Sequence, residues 1–136
     1  MVTCLDTNVI LSLRFQEPTA PQVATLLDRL DRVMVCGPVV VELSPRDPGA
    51  EGWLSQQGIE IDWTLDQAVW RRVALLHREH ALRQRRSGGG APRRVLTDYL
   101  IGAHAEVNGY ALCTLNARDY RSFTELTVLV AGQDDS

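Results

Sequence analysis

The chain has 136 residues, 45% apolar and 23% charged, with a formal net charge of −3. That composition fills one core and leaves too little length for two ordinary domains, so a single domain with an acidic tail from about residue 132 is expected. No apolar run approaches the ~18 residues that span a bilayer, and the N-terminal stretch is not basic, so a cytoplasmic chain with no membrane contact is predicted.

Residues 2–5 form an apolar run ending on Asp6, and Thr7-Asn8 followed by Val9, Ile10, Leu11 and Leu13 reads as a strand turning directly into a helix. A second helix is predicted over about residues 21–32, with Pro21 in the first turn, Thr19 near the cap, and Val23, Leu26, Leu27 and Leu30 at helical spacing. Residues 33–36 predict a second strand, closed by Gly37-Pro38. The valines at 39–41 favour strand on their own. Pro38, however, cannot donate to a ladder and suits a helix start, so a short helix carrying Glu42 is predicted. A short helix at about 51–57 and a short strand at 59–61 follow.

The clearest helix runs over about residues 65–86. Thr64 with Gln67 makes a capping box, and Leu65, Val69, Val73 and Leu76 form an apolar stripe. After the loop at 87–92, a helix from about 94 to 108 carries Asp98 and stops at Gly109. A strand at 111–114, a turn from Asn116 to Tyr120 and a strand at 127–130 complete the chain. Strands alternate with helices throughout, and most strands are continuous apolar runs, as in a parallel sheet covered on both faces. The expected fold is therefore α/β, a three-layer α/β/α domain with a four- or five-stranded parallel sheet.

In open parallel sheets, functional groups gather beyond the carboxyl ends of the strands. Asp6 follows the first strand at that point, and Asn116 follows the strand at 111–114. Glu42 and Asp98, each near a helix start, can face the same end. Taken alone, Asp98 also reads as a helix-dipole partner. Carboxylates gathered at one point raise one another's pKa unless a cation neutralises them. Mg²⁺ or Mn²⁺ does so with oxygen ligands, and such a site can activate water and stabilise charge on a phosphodiester under attack.

Cys4, Cys36 and Cys113 are odd in number, and each lies in a short apolar run, so buried thiols are expected rather than disulfides. A cysteine nucleophile needs a nearby histidine, and His77, His80 and His104 fall on predicted helices away from these strands. His77 and His80 read as an exposed helical pair rather than a zinc site. Trp53, Trp63 and Trp70 read as core or dimer-interface packing.

Residues 71–94 hold eight arginines against one acid, Glu79, a local +7 that leaves −10 on the rest of the chain. Such asymmetry predicts one basic face. All fourteen basic residues are arginine, which suits bidentate phosphate contacts. The glycines at 88–90 follow a helix and lack the Lys and Ser/Thr of a phosphate-binding loop, so they read as a connector. Arg85, Arg86, Arg93 and Arg94 beside it are candidate RNA-backbone contacts, and a solvated helix end is the equal alternative.

Four segments combine into a pattern: Cys4-Leu5-Asp6-Thr7-Asn8-Val9-Ile10-Leu11, Val40-Val41-Glu42-Leu43, Leu96-Thr97-Asp98-Tyr99-Leu100-Ile101 and Thr114-Leu115-Asn116-Ala117-Arg118-Asp119-Tyr120. In order and spacing they resemble the motifs of PIN-domain ribonucleases, and in length the chain is most similar to the VapC toxins of bacterial toxin–antitoxin modules. The resemblance extends from residue 2 to about residue 130. It implies a metal-dependent endoribonuclease with Asp6 and Asp98 as principal ligands of Mg²⁺ or Mn²⁺. Glu42 would be the third acid, ligating or positioning water, and Thr7 would support the site by hydrogen bonding.

Many family members carry an acid where this chain has Asn116, so the fourth position lies between Asn116 and Asp119. The family often has Phe where Tyr120 stands, a substitution expected to be tolerated. An RNA substrate, a cognate antitoxin and a homodimer are the partners the resemblance implies. The alternative from another class is a catalytically silent PIN domain that binds RNA or a protein, for which Asn116 is the warning. A nuclease acting on DNA flaps ranks last, because holding a branched substrate generally takes a longer chain.

Overall fold

The computed structural model describes residues 1–86 and 94–132, with side chains at all of these except 94 and 95. The expected connector, Arg93 and the acidic tail at 133–136 lie outside the described residues. In chain order the elements are β1 (Val2–Leu5), α1 (Thr7–Arg14), α2 (Ala20–Leu27), β2 (Arg32–Cys36), α3 (Gly37–Leu43) and α4 (Ala50–Gln56). Then come β3 (Glu60–Asp62), α5 (Gln67–Arg86), α6 (Arg94–Asn108), β4 (Ala111–Thr114), a 3-10 turn (Ala117–Tyr120) and β5 (Val128–Val130).

The five strands are all parallel, in the order β3-β2-β1-β4-β5. The connections through α1–α2 and α3–α4 step outward from β1, and the connection through α5–α6 returns across the sheet to β4; with the right-handed crossovers that parallel strands take, helices cover both faces. The order reverses between β1 and β4, which makes their carboxyl ends the natural place for a site. Leu5, Val35, Leu112 and Cys113 are fully buried between the two helical layers.

Local chemistry explains the one ambiguous segment. Pro38 occupies the first turn of α3, and within the valine run Val39 is buried with Leu43 while Val41 is 69% exposed. That is a helical face, not strand alternation.

Several boundaries shift by one or more residues, and three of the shifts bear on the packing. Helix α2 ends at Leu27, because Arg29 and Leu30 donate to Leu26 and Leu27 in tight three-residue turns and Arg32 joins the sheet opposite Val2. Helix α5 is capped by Asp66, whose Oδ1 accepts the Val69 N–H at 3.1 Å, rather than by Thr64. Strand β3 lies one residue later than expected, which puts Asp62 beside Cys36. Of the tryptophans only Trp53 packs against the core, since Trp63 and Trp70 are 58% and 52% exposed. Among the described residues no helix is long and apolar enough to cross a membrane.

Candidate active site

Asp6 closes β1 and caps α1. Its Oδ1 accepts the backbone N–H of Thr7 at 2.8 Å, and its Oδ2 accepts the hydroxyl of Thr114, at the end of β4, at 2.8 Å. The residue is only 4% exposed. Burial raises its pKa and the charge of Glu42 adds to the rise, while the bonds from Thr114 and Thr7 oppose it.

Thr114 is the hub of this junction. Its Oγ1 also accepts the Asn116 N–H at 3.1 Å and the Asn8 amide at 3.3 Å, and Asn8 Oδ1 accepts the Leu115 N–H at 3.2 Å. These bonds tie the start of α1 to the end of β4, so the Asp6 carboxylate is held from two sides. Sequence reasoning missed Thr114 and Asn8; a hydroxyl ending one apolar strand beside an acid ending the next was the available signal.

The Thr7 hydroxyl donates to Glu42 Oε1, joining α1 to α3. Asp6, Thr7, Asn8, Glu42, Asp98 and Asp119 all line one cavity of about 40 Å³. Asn116 is not among its lining residues. Its Oδ1 instead accepts the Arg118 N–H at 3.3 Å and caps the 3-10 turn that carries Asp119. The structure thus brings Asp6, Glu42, Asp98 and Asp119 together and leaves Asn116 in the supporting turn. Tyr120, behind them, is 1% exposed and packs its ring 6.2 Å from that of Phe123. Burial, then the nearby carboxylate charge, pushes its pKa up, so the hydroxyl stays protonated.

The carboxylate and hydroxyl groups lining the cavity offer oxygen ligands, and among the described residues no basic side chain lines it. This arrangement fits a hard divalent ion such as Mg²⁺ or Mn²⁺. Among the described residues no three Asp, Glu, His or Cys side chains stand close enough together to hold such an ion as they are placed.

The arginines proposed from sequence are placed unequally. Arg85 and Arg86 are exposed in the last turn of α5, Arg93 lies outside the described residues, and Arg94 begins α6 with its side chain undescribed. The histidines also differ from expectation. His77 is exposed, but His80 is half-buried with its ring 6.1 Å from that of Tyr99.

His104 lies against the strands rather than away from them. Its Nδ1 is 3.5 Å from Cys4 Sγ and its Nε2 is 2.8 Å from Asp62 Oδ2. This is the order of a nucleophile triad, but Cys4 is 1% exposed and burial drives its thiol pKa up. The protonated thiol donates to Nδ1, so the Nε2–H faces Asp62. The cluster satisfies buried polar groups and offers no reactive sulfur.

The bond from His104 holds the Asp62 carboxyl below its ordinary pKa. A depressed folded pKa adds stability that is present above the unfolded value of about 3.9 and is lost as pH falls through the folded value. The urea midpoint of the wild type is therefore expected to fall more steeply than that of Asp62→Asn from about pH 5 downward. Parallel pH profiles would remove this role.

The sequence profile of the PIN domain family matches residues 3–126. No curated protein matches the sequence. Among solved structures, the chain is similar to VapBC-1 from nontypeable Haemophilus influenzae, with 19% identity over 96% of this chain and 98% of that one, at a TM-score of 0.70. A toxin–antitoxin complex from Klebsiella pneumoniae matches at 17% identity over 94% and 96% of the two chains, with a TM-score of 0.66. FitAcB from Neisseria gonorrhoeae matches at 20% identity over 95% and 96%, with a TM-score of 0.63.

Proposed function

Because the chain belongs to the PIN domain family, we propose that it is a metal-dependent endoribonuclease, the VapC-like toxin of a toxin–antitoxin pair. The observation that carries this reading is the convergence of Asp6, Glu42, Asp98 and Asp119 on one cavity at the switch point of the sheet. The similar structures support the toxin part, since they include VapBC-1, FitAcB and a toxin–antitoxin complex. A cognate antitoxin, a homodimeric state and action in the cytoplasm belong to the same proposal.

Asp6 and Asp98 would hold Mg²⁺ or Mn²⁺, with Asp119 as the further acid. When bound, the ion would activate water and neutralise charge on the phosphodiester. The chain's own residues set the geometry. Thr7 and Thr114 fix the Asp6 carboxylate, so its charge faces the cavity without reorganisation. Glu42 Oε1 accepts the Thr7 hydroxyl, which leaves Oε2 to orient the attacking water. Asn116 contributes by capping the turn that presents Asp119, which weakens the silent-domain alternative that its identity suggested.

Asp119→Asn is expected to lower RNA cleavage at limiting Mn²⁺ by roughly 10- to 100-fold, the usual effect of disturbing a ligand's support. Asn116→Asp keeps an acceptor at the cap and is expected to stay within about twofold of the wild type. Initial rates over a Mn²⁺ titration check both. The opposite ranking would assign the fourth position to residue 116.

A further inference from the structure

Beside the carboxylate cavity, and sharing Asp98 and Asp119 with it, lies a larger one of about 300 Å³. His80 and Arg83 of α5 line it from one side, and Arg118 and Arg121 at the 3-10 turn line it from another. The cavity is therefore acidic where it meets the proposed metal site and basic beyond it.

Other arginines are committed to structural partners. Arg14 pairs with Asp47 at 2.7 Å, Arg72 with Glu106 at 2.7 Å, and Arg32 with Glu60. Arg118 and Arg121 have no side-chain partner of this kind among the described residues, although two carboxylates share their cavity. His80 Nε2 is buried with no hydrogen-bond partner among the described residues. Among the described residues, the two exposed guanidinium groups are therefore donors open to a ligand.

We propose that this cavity binds a phosphate of the RNA strand next to the phosphate that is cut, with Arg118 and Arg121 as its principal contacts. The inference rests on reading the carboxylate cavity as the cleavage site. A nucleic-acid strand repeats its anion at every nucleotide, so two anion-accepting stations that share a wall match consecutive phosphates. Guanidinium groups suit the second station because their fork engages phosphate oxygens bidentately. Such a contact positions the strand without reading its bases.

The test is the binding of a short single-stranded RNA, followed by fluorescence anisotropy in EDTA across a salt series. EDTA separates binding from cleavage. The proteins are the wild type, Arg118→Ala/Arg121→Ala, and Arg29→Ala as a charge control on the turn after α2. Both cavity side chains are exposed, so an unchanged melting temperature shows that the double variant is folded.

The double variant is expected to bind about 10-fold more weakly at low salt, with the log–log salt slope flatter by about 0.7 for the lost phosphate contact. Arg29→Ala is expected to match the wild type. In Mn²⁺ the double variant is expected to raise KM with kcat and the cleavage positions unchanged. Wild-type affinity and slope in the double variant, or an equal loss in Arg29→Ala, would overturn the proposal. So would loss of binding to a polyglutamate peptide with RNA binding intact, since that assigns the cavity to an acidic protein partner. Weakened RNA binding with no cleavage by any variant would support the cavity and defeat only the nuclease reading.

Discussion

Replacing Asp6 with asparagine is expected to reduce metal-dependent RNA cleavage by about 10³-fold or more, as befits loss of several kcal/mol of charge stabilisation in the transition state. Mg²⁺ or Mn²⁺ is expected to raise the melting temperature of the wild type, and the same change is expected to remove that rise. Two features of the site make the effect large. Asp6 is 4% exposed, so no water substitutes for its charge. Its two oxygens also both accept hydrogen bonds, from Thr7 and Thr114, and an amide must turn its NH₂ toward one of those donors.

The raised pKa of Asp6, caused first by burial, gives the reaction a pH dependence as well. Protons compete with the metal at higher pH than for an ordinary carboxylate near 3.9, so cleavage is expected to weaken as pH falls through that raised value. Single-turnover rates and thermal scans with and without Mn²⁺ measure both effects. Cleavage within tenfold of the wild type, with the metal-induced shift intact, would remove Asp6 from the ligand set.

The second large effect is structural and reaches the site through packing. Gly102 lies on α6, one turn after Asp98, and a Cβ built there would come 2.5 Å from Cζ of Phe123. Alanine normally gains about 1 kcal/mol over glycine inside a helix. Here the overpacking costs about 1–3 kcal/mol or more, because Phe123 is 5% exposed and wedged against Tyr99 and Tyr120. Gly102→Ala is therefore expected to lower the melting temperature by several degrees, at roughly 4 °C per kcal/mol for a domain of this size. Relief of the clash moves Phe123 and with it the turn that carries Asp119, so cleavage is expected to fall as well. Gly102→Ala with an unchanged or raised melting temperature would show that Phe123 has room to move.

Periodicity carried much of the architecture. Continuous apolar runs such as Ala111–Thr114 and helix stops such as Gly109 depend on neighbours along the chain, and these elements matched expectation. Boundaries set by pairing across the sheet did not. The end of α2 is decided by Arg32 joining β2, and the start of β3 by the pairing of Asp62 with Cys36. Neither partner is near in sequence.

The candidate site divides the same way. Asp6, Glu42 and Asp98 stood out as acids at strand and helix junctions, and the resemblance grouped them. The preference for Asp119 over Asn116 rests on the 3-10 turn, which Asn116 caps and which puts Asp119 on the cavity lining. The Cys4–His104–Asp62 cluster joins residues from β1, α6 and β3, so spacing had no means of showing it. Net charge pointed to residues 71–94, whereas Arg118 and Arg121, which stand beside the carboxylates, are only two positive charges in a mixed segment.

The most direct measurement is incubation of purified protein, free of antitoxin, with total RNA in Mg²⁺ or Mn²⁺, alongside EDTA and an Asp98→Asn control. Cleavage that requires the metal and disappears in both controls is the expected result. No metal-dependent cleavage by any active-site-intact preparation would contradict the account.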